Sequence, residues 1–545
     1  MGWNTHEVTN QVPDLVNHNL YASDTVLQQA VEREGAHHAH ARLSDYGEQL
    51  GRSQVLSLAG EIDRQPPVLR PYDRQGHRID EVTFHPGWHT FLQMGCRYGL
   101  NAGASVARAA AFLLHGQVES GSLCPLTMTS AALPLLARES WYSALSAQIE
   151  SSEHDPRDIP IPKKRGMLVG MGLTEKQGGS DLRRITTQAQ PLAHAQTVTE
   201  GEWYQLMGHK WFFSAPMADA HLVLAQLDGQ PTCFFVPRWL PDGTRNAVRI
   251  MQLKDKLGNR SNASAEVEFH DALGMPVGEA GRGIATLVEM AAYTRLDCVL
   301  GSTALMRAAL VQALHHAKYR IAFGQPLMQQ PLMRTLLVDL ALEVEAAVTL
   351  SLRLARAVEN QANADPLERA LARIITPAAK FWICKRAISL VAEAMEVLGG
   401  NGYVETHVLP RLYREAPVNS IWEGSGNVMC LDVLRGLQRH PEWADALFGW
   451  LRTETASDAL LLAQVTSLET YSQRPDTELE AVARHIASKL TLLVQVVMLK
   501  KHAPEFVADA FRASRFAECE IGVFGMSSAP TALNSILERA WRTDV

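Results

Sequence analysis

Four short stretches hold the residue types from which chemistry can be built. "IWEGSGN" (421–427) sets one carboxylate, Glu423, between the indole of Trp422 and a small polar run that includes Ser425 and Asn427. A routine surface ion pair has little use for that setting. The stretch therefore raises the question of what that carboxylate is for. "MGLTEKQGGSD" (171–181) places Gly178 and Gly179 between the hydroxyls of Thr174 and Ser180. Such glycines let backbone amides approach an electron-rich ligand, and they equally make a plain hairpin turn. No Gly-Lys-Ser/Thr follows, so the segment is not a Walker loop. "YRIAFGQPL" (319–327) carries Arg320 three residues before Phe323, and "EAMEVLGGNGY" (393–403) carries Gly399 and Gly400. Taken singly, each reads as an ordinary helix stop.

The elements that must position these residues follow from pattern. Residues 1–165 read as a mainly helical domain, closed by the proline- and charge-rich "DPRDIPIPKKRG" (155–166). Residues 166–285 change texture to short aromatic and β-branched runs, which predicts an antiparallel barrel or sandwich. Within it, "WYQLMGHKWFFS" (203–214) has the form of a hairpin turning at Gly208-His209. Residues 286–436 return to the helical period. Leu296, Leu300, Ala304 and Ala308 form one stripe and Leu336, Leu340, Val344 and Ala347 another, with a third segment kinked at Pro377. These faces predict an antiparallel bundle. Residues 437–545 read as a separate C-terminal helical domain. The class is α+β, without βαβ alternation.

Composition bounds the function. The net charge of -7 excludes an overall polycation, so any nucleic-acid contact needs a local basic patch. No uninterrupted apolar run approaches a membrane span, and the N-terminus lacks the basic and apolar regions of a secretory signal, so a cytoplasmic protein without a membrane partner is expected. Seven scattered cysteines without C-x-x-C predict reduced, buried thiols. No carboxylate or cysteine spacing accompanies His37, His38 and His40, so no metal site is expected.

Taken together and in order, the four stretches resemble the acyl-CoA dehydrogenase family of flavoproteins. That family's pattern is T-E-x-x-x-G-S-D, then R-x-x-F-G, then Q-x-x-G-G-x-G-Y, then Y-E-G-T. The resemblance is clear over 166–436. "GQPLMQQPLMR", "PVNSIWEGSGN" and the extra C-terminal unit add a closer likeness to a subgroup tied to the adaptive response to DNA alkylation. Lys176 stands where Pro is usual, Phe213 where Thr is usual, and Trp422 where Tyr is usual.

What the resemblance implies is FAD as cofactor. Met171, Leu173, Thr174, Gly179 and Ser180 would line the isoalloxazine, and Phe212, Phe213 and Ser214 would cover another face. Trp422, Ser425 and Asn427 would complete the pocket. Arg320, Phe323, Gly399 and Gly400 would reach FAD held by a neighbouring subunit, which implies a homotetramer built as a dimer of dimers. Glu423 takes the position of the base that removes the α-proton of an acyl-CoA, with Arg295 beside it. The alternative for Glu423 is a carboxylate that only pairs with Arg295. Bulk at Trp422 and Phe213 implies poor or narrow dehydrogenase activity, at most weak and favouring short or branched chains.

The same resemblance implies double-stranded DNA as partner of the C-terminal unit. Residues 437–545 hold 11 basic against 14 acidic residues, a net of -3, so binding would rest on a local face. Arg484, Lys489, Lys500, Lys501, Arg512 and Arg515 are the expected contacts. The competing reading is a metabolic acyl-CoA dehydrogenase whose C-terminal unit serves assembly alone.

Overall fold

The computed structural model describes residues 5–192, 203–361, 365–472, 475–517, 522–526 and 532–543. The four segments expected from sequence fold into two compact units, Ser57–Asp297 and Met1–Leu56 with Cys298–Val545.

In the unit Ser57–Asp297, helices Pro86–Arg97, Val106–Gly116 and Leu123–Leu136 precede a barrel. Ser105 starts the second by accepting from the Arg108 amide, and Pro86 opens the first where its missing N–H is harmless. The third is apolar on every side and almost wholly buried. The helical expectation for 1–165 misses one hairpin, β1 (Val68–Tyr72) with β2 (Arg78–Thr83).

The barrel consists of β3 (Val169–Gly172), β4 (Gln188–Pro191), β5 (Tyr204–Ser214), β6 (Ala220–Leu227), β7 (Gln230–Pro237), β8 (Val248–Leu253) and β9 (Ser264–Val277). Strands β5, β9, β7 and β6 pair antiparallel in succession, and β3 and β4 each bridge β6 back to β5. The β3–β6 pairing is parallel, so the sheet is mixed and not purely antiparallel. Strand β6 is buried along its whole length, as a strand enclosed on both faces must be.

Strand β5 corrects the hairpin reading of 203–214. It runs unbroken, and Gly208 pairs with Phe269 of β9 in mid-strand. A Cβ on Gly208, at φ 151°, would fall 2.6 Å from the Thr187 Cα. The glycine marks a close backbone approach where the sequence suggested a turn.

In the other unit, helices Pro331–Asn360, Thr376–Val397 and Gly426–Arg439 supply the bundle. The kink expected at Pro377 is resolved by one π turn over Leu371–Ile375, after which Pro377 lies in the first helical turn. The C-terminal segment is not a separate domain. Every side chain from Leu490 to Leu499 of helix Ala483–His502 is buried, and this helix packs on all three bundle helices. A helix apolar all round has to be surrounded, and that need overrides the boundary near 437.

Helix Gly283–Tyr319 qualifies the membrane expectation. It contains an 18-residue window of mean hydropathy 1.2, long and apolar enough to span a bilayer, yet 83% of that window is buried in the protein. It is the core helix of a bundle. The six cysteines among the described residues are all buried without disulfides, and Cys519 lies outside those residues. Burial pushes the thiols of Cys96 and Cys233 up to about 12 and that of Cys430 up to about 11.

Candidate functional site

Strands β3 and β5 bring the first set of expected residues together. Met171 lies opposite Ser214 and Gly172 opposite Phe213, while the Thr174 carbonyl accepts from the Trp211 amide at 2.8 Å. The loop after β3 is held from beneath by Glu175, whose carboxylate is fully buried. It accepts from the Thr186 and Thr187 amides at 2.6 and 3.1 Å and from the Thr187 hydroxyl at 2.6 Å. Lys210, also fully buried, donates to it at 2.7 Å and to the Leu224 carbonyl at 2.7 Å. Burial alone would raise the Glu175 carboxyl, but Lys210 and these donors outweigh it and hold it well below the usual range. Burial lowers the Lys210 ammonium to about 8 against the pull of Glu175.

On the outer side of this loop, polar groups stand ready. The hydroxyls of Thr174, Ser180 and Ser214 have no protein hydrogen-bond partner among the described residues, and all three are at least partly exposed. Nothing lies within 4 Å of a Cβ built on Gly178, at φ 132°, so the backbone there is open. Free hydroxyls on a rigid strand end and an open glycine backbone fit a planar, acceptor-rich ring system such as a flavin.

Strand alternation separates the two phenylalanines expected to cover that ring. Phe212 points out and is 50% exposed, beneath the Lys254 ammonium at 4.9 Å from its ring centre. Phe213 points in and is 1% exposed, stacked on His221 at 4.0 Å between ring centres. The expectation for Phe213 is therefore corrected. It packs the barrel interior, and its size narrows no pocket outside it. Leu173 is half-buried, and Arg295 lies on helix Gly283–Tyr319 in this same unit.

The second set lies in the other unit. Glu423 adopts φ 57°, the left-handed region that a residue with a branched backbone environment avoids. The turn around it is pinned on both sides. Trp422 Nε1 donates to Asn419 Oδ1 at 3.0 Å, and Lys380 Nζ, 1% exposed, donates to the Gly424 carbonyl at 2.8 Å. Gly424, at φ 102°, packs so closely that a Cβ would meet Met429 Cε at 2.5 Å. Ser425 then stands at the N-cap position of helix Gly426–Arg439 without a side-chain capping bond, with Asn427 in its first turn. The half-buried Glu423 carboxylate thus stands on a rigid, strained turn.

Arg320 ends helix Gly283–Tyr319 and donates to the Asn10 carbonyl. Phe323 sits at the tip of the hairpin formed by β10 (Ile321–Ala322) and β11 (Gln325–Pro326), 97% exposed. Gly399 and Gly400 start the short helix Gly400–Tyr403 with open space where side chains would be.

The C-terminal cations are mostly engaged. Arg515 is 3% exposed, lies in an ion pair 2.7 Å from Asp339 and donates to Glu343 at 2.8 Å, so it joins the core and cannot touch a nucleic acid. Arg512 pairs with Asp458, Lys501 pairs with Glu454, and Lys500 lies 3.8 Å from Asp458. Arg484 and Lys489 sit over the rings of Phe381 and Phe516 at 5.2 and 5.6 Å. Among the described residues no group of three or more potential metal ligands assembles. Sequence reasoning missed Lys210, Glu175 and Lys380. A lysine at an inward position of "GHKWFFS", and another inside the apolar "PAAKFWI", were the available signals.

Residues 10–156 match the N-terminal domain of the adaptive response protein AidB, residues 170–272 the acyl-CoA dehydrogenase middle domain, and residues 281–438 the acyl-CoA dehydrogenase C-terminal domain. The chain is 49% identical over 526 residues to the putative acyl-CoA dehydrogenase AidB of Escherichia coli K12, covering 94% of each chain. Its fold is similar to that of Bd2924 in its apo form, with a TM-score of 0.83 and 27% identity over 91% of this chain and all of that one. It is also similar to Caenorhabditis elegans ACDH-11 in complex with C11-CoA, with a TM-score of 0.81 and 25% identity over 93% of each chain.

Proposed function

Because this chain belongs to the acyl-CoA dehydrogenase family, in its AidB-like branch, we propose that it holds FAD and oxidises an acyl-CoA thioester with Glu423 as the base. The family is FAD-dependent, and when bound the flavin supplies the acceptor for the substrate's β-hydride. Glu423 takes the α-proton onto a carboxylate oxygen, and the α,β-bond becomes double. Thr174, Ser180 and Ser214 donate to or accept from the ring with hydroxyls that no protein group claims among the described residues. Phe212, exposed on its strand, is the aromatic placed to cover a ring face. ACDH-11, of similar fold, is a complex with an acyl-CoA, and this supports an acyl-CoA as substrate class here. Arg320 and Phe323 serve FAD in a neighbouring subunit of a dimer of dimers. A guanidinium suits a diphosphate, and a phenylalanine 97% exposed at a hairpin tip suits an interface.

The observation that carries this reading is the left-handed backbone at Glu423. Strain of about 1–3 kcal/mol persists where the surroundings over-determine it, and it clusters at sites of chemistry. A carboxylate that merely paired at a surface would gain too little to hold it. Anaerobic mixing of the flavin-loaded protein with short- and branched-chain acyl-CoAs tests the assignment. Glu423→Gln should retain flavin and lose bleaching. Bleaching at the wild-type rate removes Glu423 from the role.

A second role, duplex DNA binding in the response to alkylation, draws support from the match of residues 10–156 to an adaptive response protein's domain. Arg484 and Lys489 are its remaining candidate contacts outside ion pairs. Fluorescence anisotropy on a duplex should show affinity that falls steeply with salt. Affinity equal to that of an acidic control protein at low salt rejects it.

A further inference from the structure

The unit Ser57–Asp297 contains a cavity of about 200 Å³ where the hairpin β1–β2 meets β7 and β8. Four arginines line it: Arg78, Arg238, Arg245 and Arg249. Their partners account for only part of their donors. Arg78 Nε donates to Asp80 Oδ2 and its Nη2 to the Ile250 carbonyl, both at 2.9 Å. Arg238 grips Asp158 with Nε and Nη2 at 3.0 and 3.1 Å, and Arg245 Nη2 donates to the same carboxylate at 2.6 Å. Arg78 also has Tyr72 as a partner, whereas among the described residues Nη1 of Arg238 and the whole guanidinium of Arg249 have no acceptor. Glu268, opposite Arg249 in the ladder, is engaged by His270 at 3.0 Å.

The wall also holds an orphan of the opposite sign. Asp80 is 6% exposed, and its Oδ1 is buried without a donor among the described residues, a costly arrangement for a carboxylate oxygen. The residue is held at φ 43°, so its backbone is strained to keep it there. His221, also in the wall, is neutral, because burial and the adjacent Arg238 push its imidazole down to about 3. Four guanidinium groups against the carboxylates of Asp80, Asp158 and Glu268 leave a net positive charge. That excess favours a phosphate, and planar guanidinium forks fit phosphate oxygens in pairs.

We infer that this cavity binds a compact phosphate monoester bearing a hydroxyl close to its phosphate, as sugar phosphates do. Arg249 and the free Nη1 of Arg238 take the phosphate, and Asp80 Oδ1 accepts from the hydroxyl. Nothing in the proposed dehydrogenase chemistry uses these residues, so the site is additional to it.

Calorimetric titration of the full flavin-loaded chain with ribose 5-phosphate, inorganic phosphate and ribose tests the inference. Ribose 5-phosphate should bind once per chain, inorganic phosphate more weakly, and ribose not at all. Arg249 is exposed, so Arg249→Ala should leave fold and flavin absorbance intact and weaken both phosphates about tenfold or more. Asp80→Asn keeps a residue tolerant of positive φ and should bring ribose 5-phosphate down to the level of inorganic phosphate. Absence of phosphate binding, equal binding of ribose, or affinities unmoved by Arg249→Ala overturns the proposal.

Discussion

Replacing Lys210 with methionine keeps the length of the side chain and removes its charge. Lys210 and Glu175 are both fully buried and meet at 2.7 Å. In the variant, Glu175 keeps its donors from Thr186 and Thr187 but loses its counter-charge, and the Leu224 carbonyl loses its donor. Breaking a buried pair from one side typically costs about 3–5 kcal/mol. For a cooperative unit of some two hundred residues, each kcal/mol moves the midpoint about 2–4 °C, so the unit should melt about 10 °C lower. The loop 174–180 rests on Glu175, so flavin retention through gel filtration should fall as well. The double variant Lys210→Met with Glu175→Gln removes both charges together. With no charge left unpaired, it should regain a large part of the lost stability. Differential scanning fluorimetry on all four proteins closes the cycle. A single variant within 2 °C of wild type, or a double variant worse than the two singles combined, refutes the view that this pair holds the loop.

Four further outcomes follow from named contacts. Glu423→Gly relieves the left-handed strain, so it should melt at or above the wild-type temperature, by up to about 1 kcal/mol of stability, while abolishing anaerobic bleaching. Glu119 is held down at about 2, from 4.5. Burial opposes this, but His115, Ser122 and Ser261 outweigh it. A depressed carboxyl stabilises above its unfolded pKa, so about 3 kcal/mol should be lost as pH falls from about 4.5 toward 2, and Glu119→Gln should flatten that part of the denaturation profile. Arg515→Met should cost about 3–5 kcal/mol in urea melts and leave the salt slope of any DNA binding unchanged, whereas Arg484→Ala should lower that slope by about 1 without loss of stability. Gly208→Ala drives a methyl against the Thr187 backbone and should cost at least about 2 kcal/mol, measured as a fall in melting temperature.

The helical stripes and the change of texture near 166 were legible because amphipathic period is a local property. The ordered motifs identified the family for a different reason: spacing between glycines and charges survives drift that erases other likeness. What sequence could not supply was contact between distant segments. Gly208-His209 reads as a turn until Thr187 is seen against it. Arg515 reads as one more surface cation until Asp339 and Glu343, on a helix far earlier in the chain, enclose it. The same limit hid Lys380 behind the Glu423 turn, and it hid the division of labour between Phe212 and Phe213. A single residue of strand register decides that division, and no propensity encodes register.

The enclosure of the thiols has a chemical corollary. Electrophiles and peroxides attack sulfur as the thiolate, and a thiol titrating near 11 or 12 is ionised at neutral pH only to about one part in ten thousand or less. Cys96, Cys233 and Cys430 are in that state and shielded from solvent besides. Reagents that modify exposed cysteines within minutes should therefore leave these three untouched in the folded chain and reach them only once it is denatured.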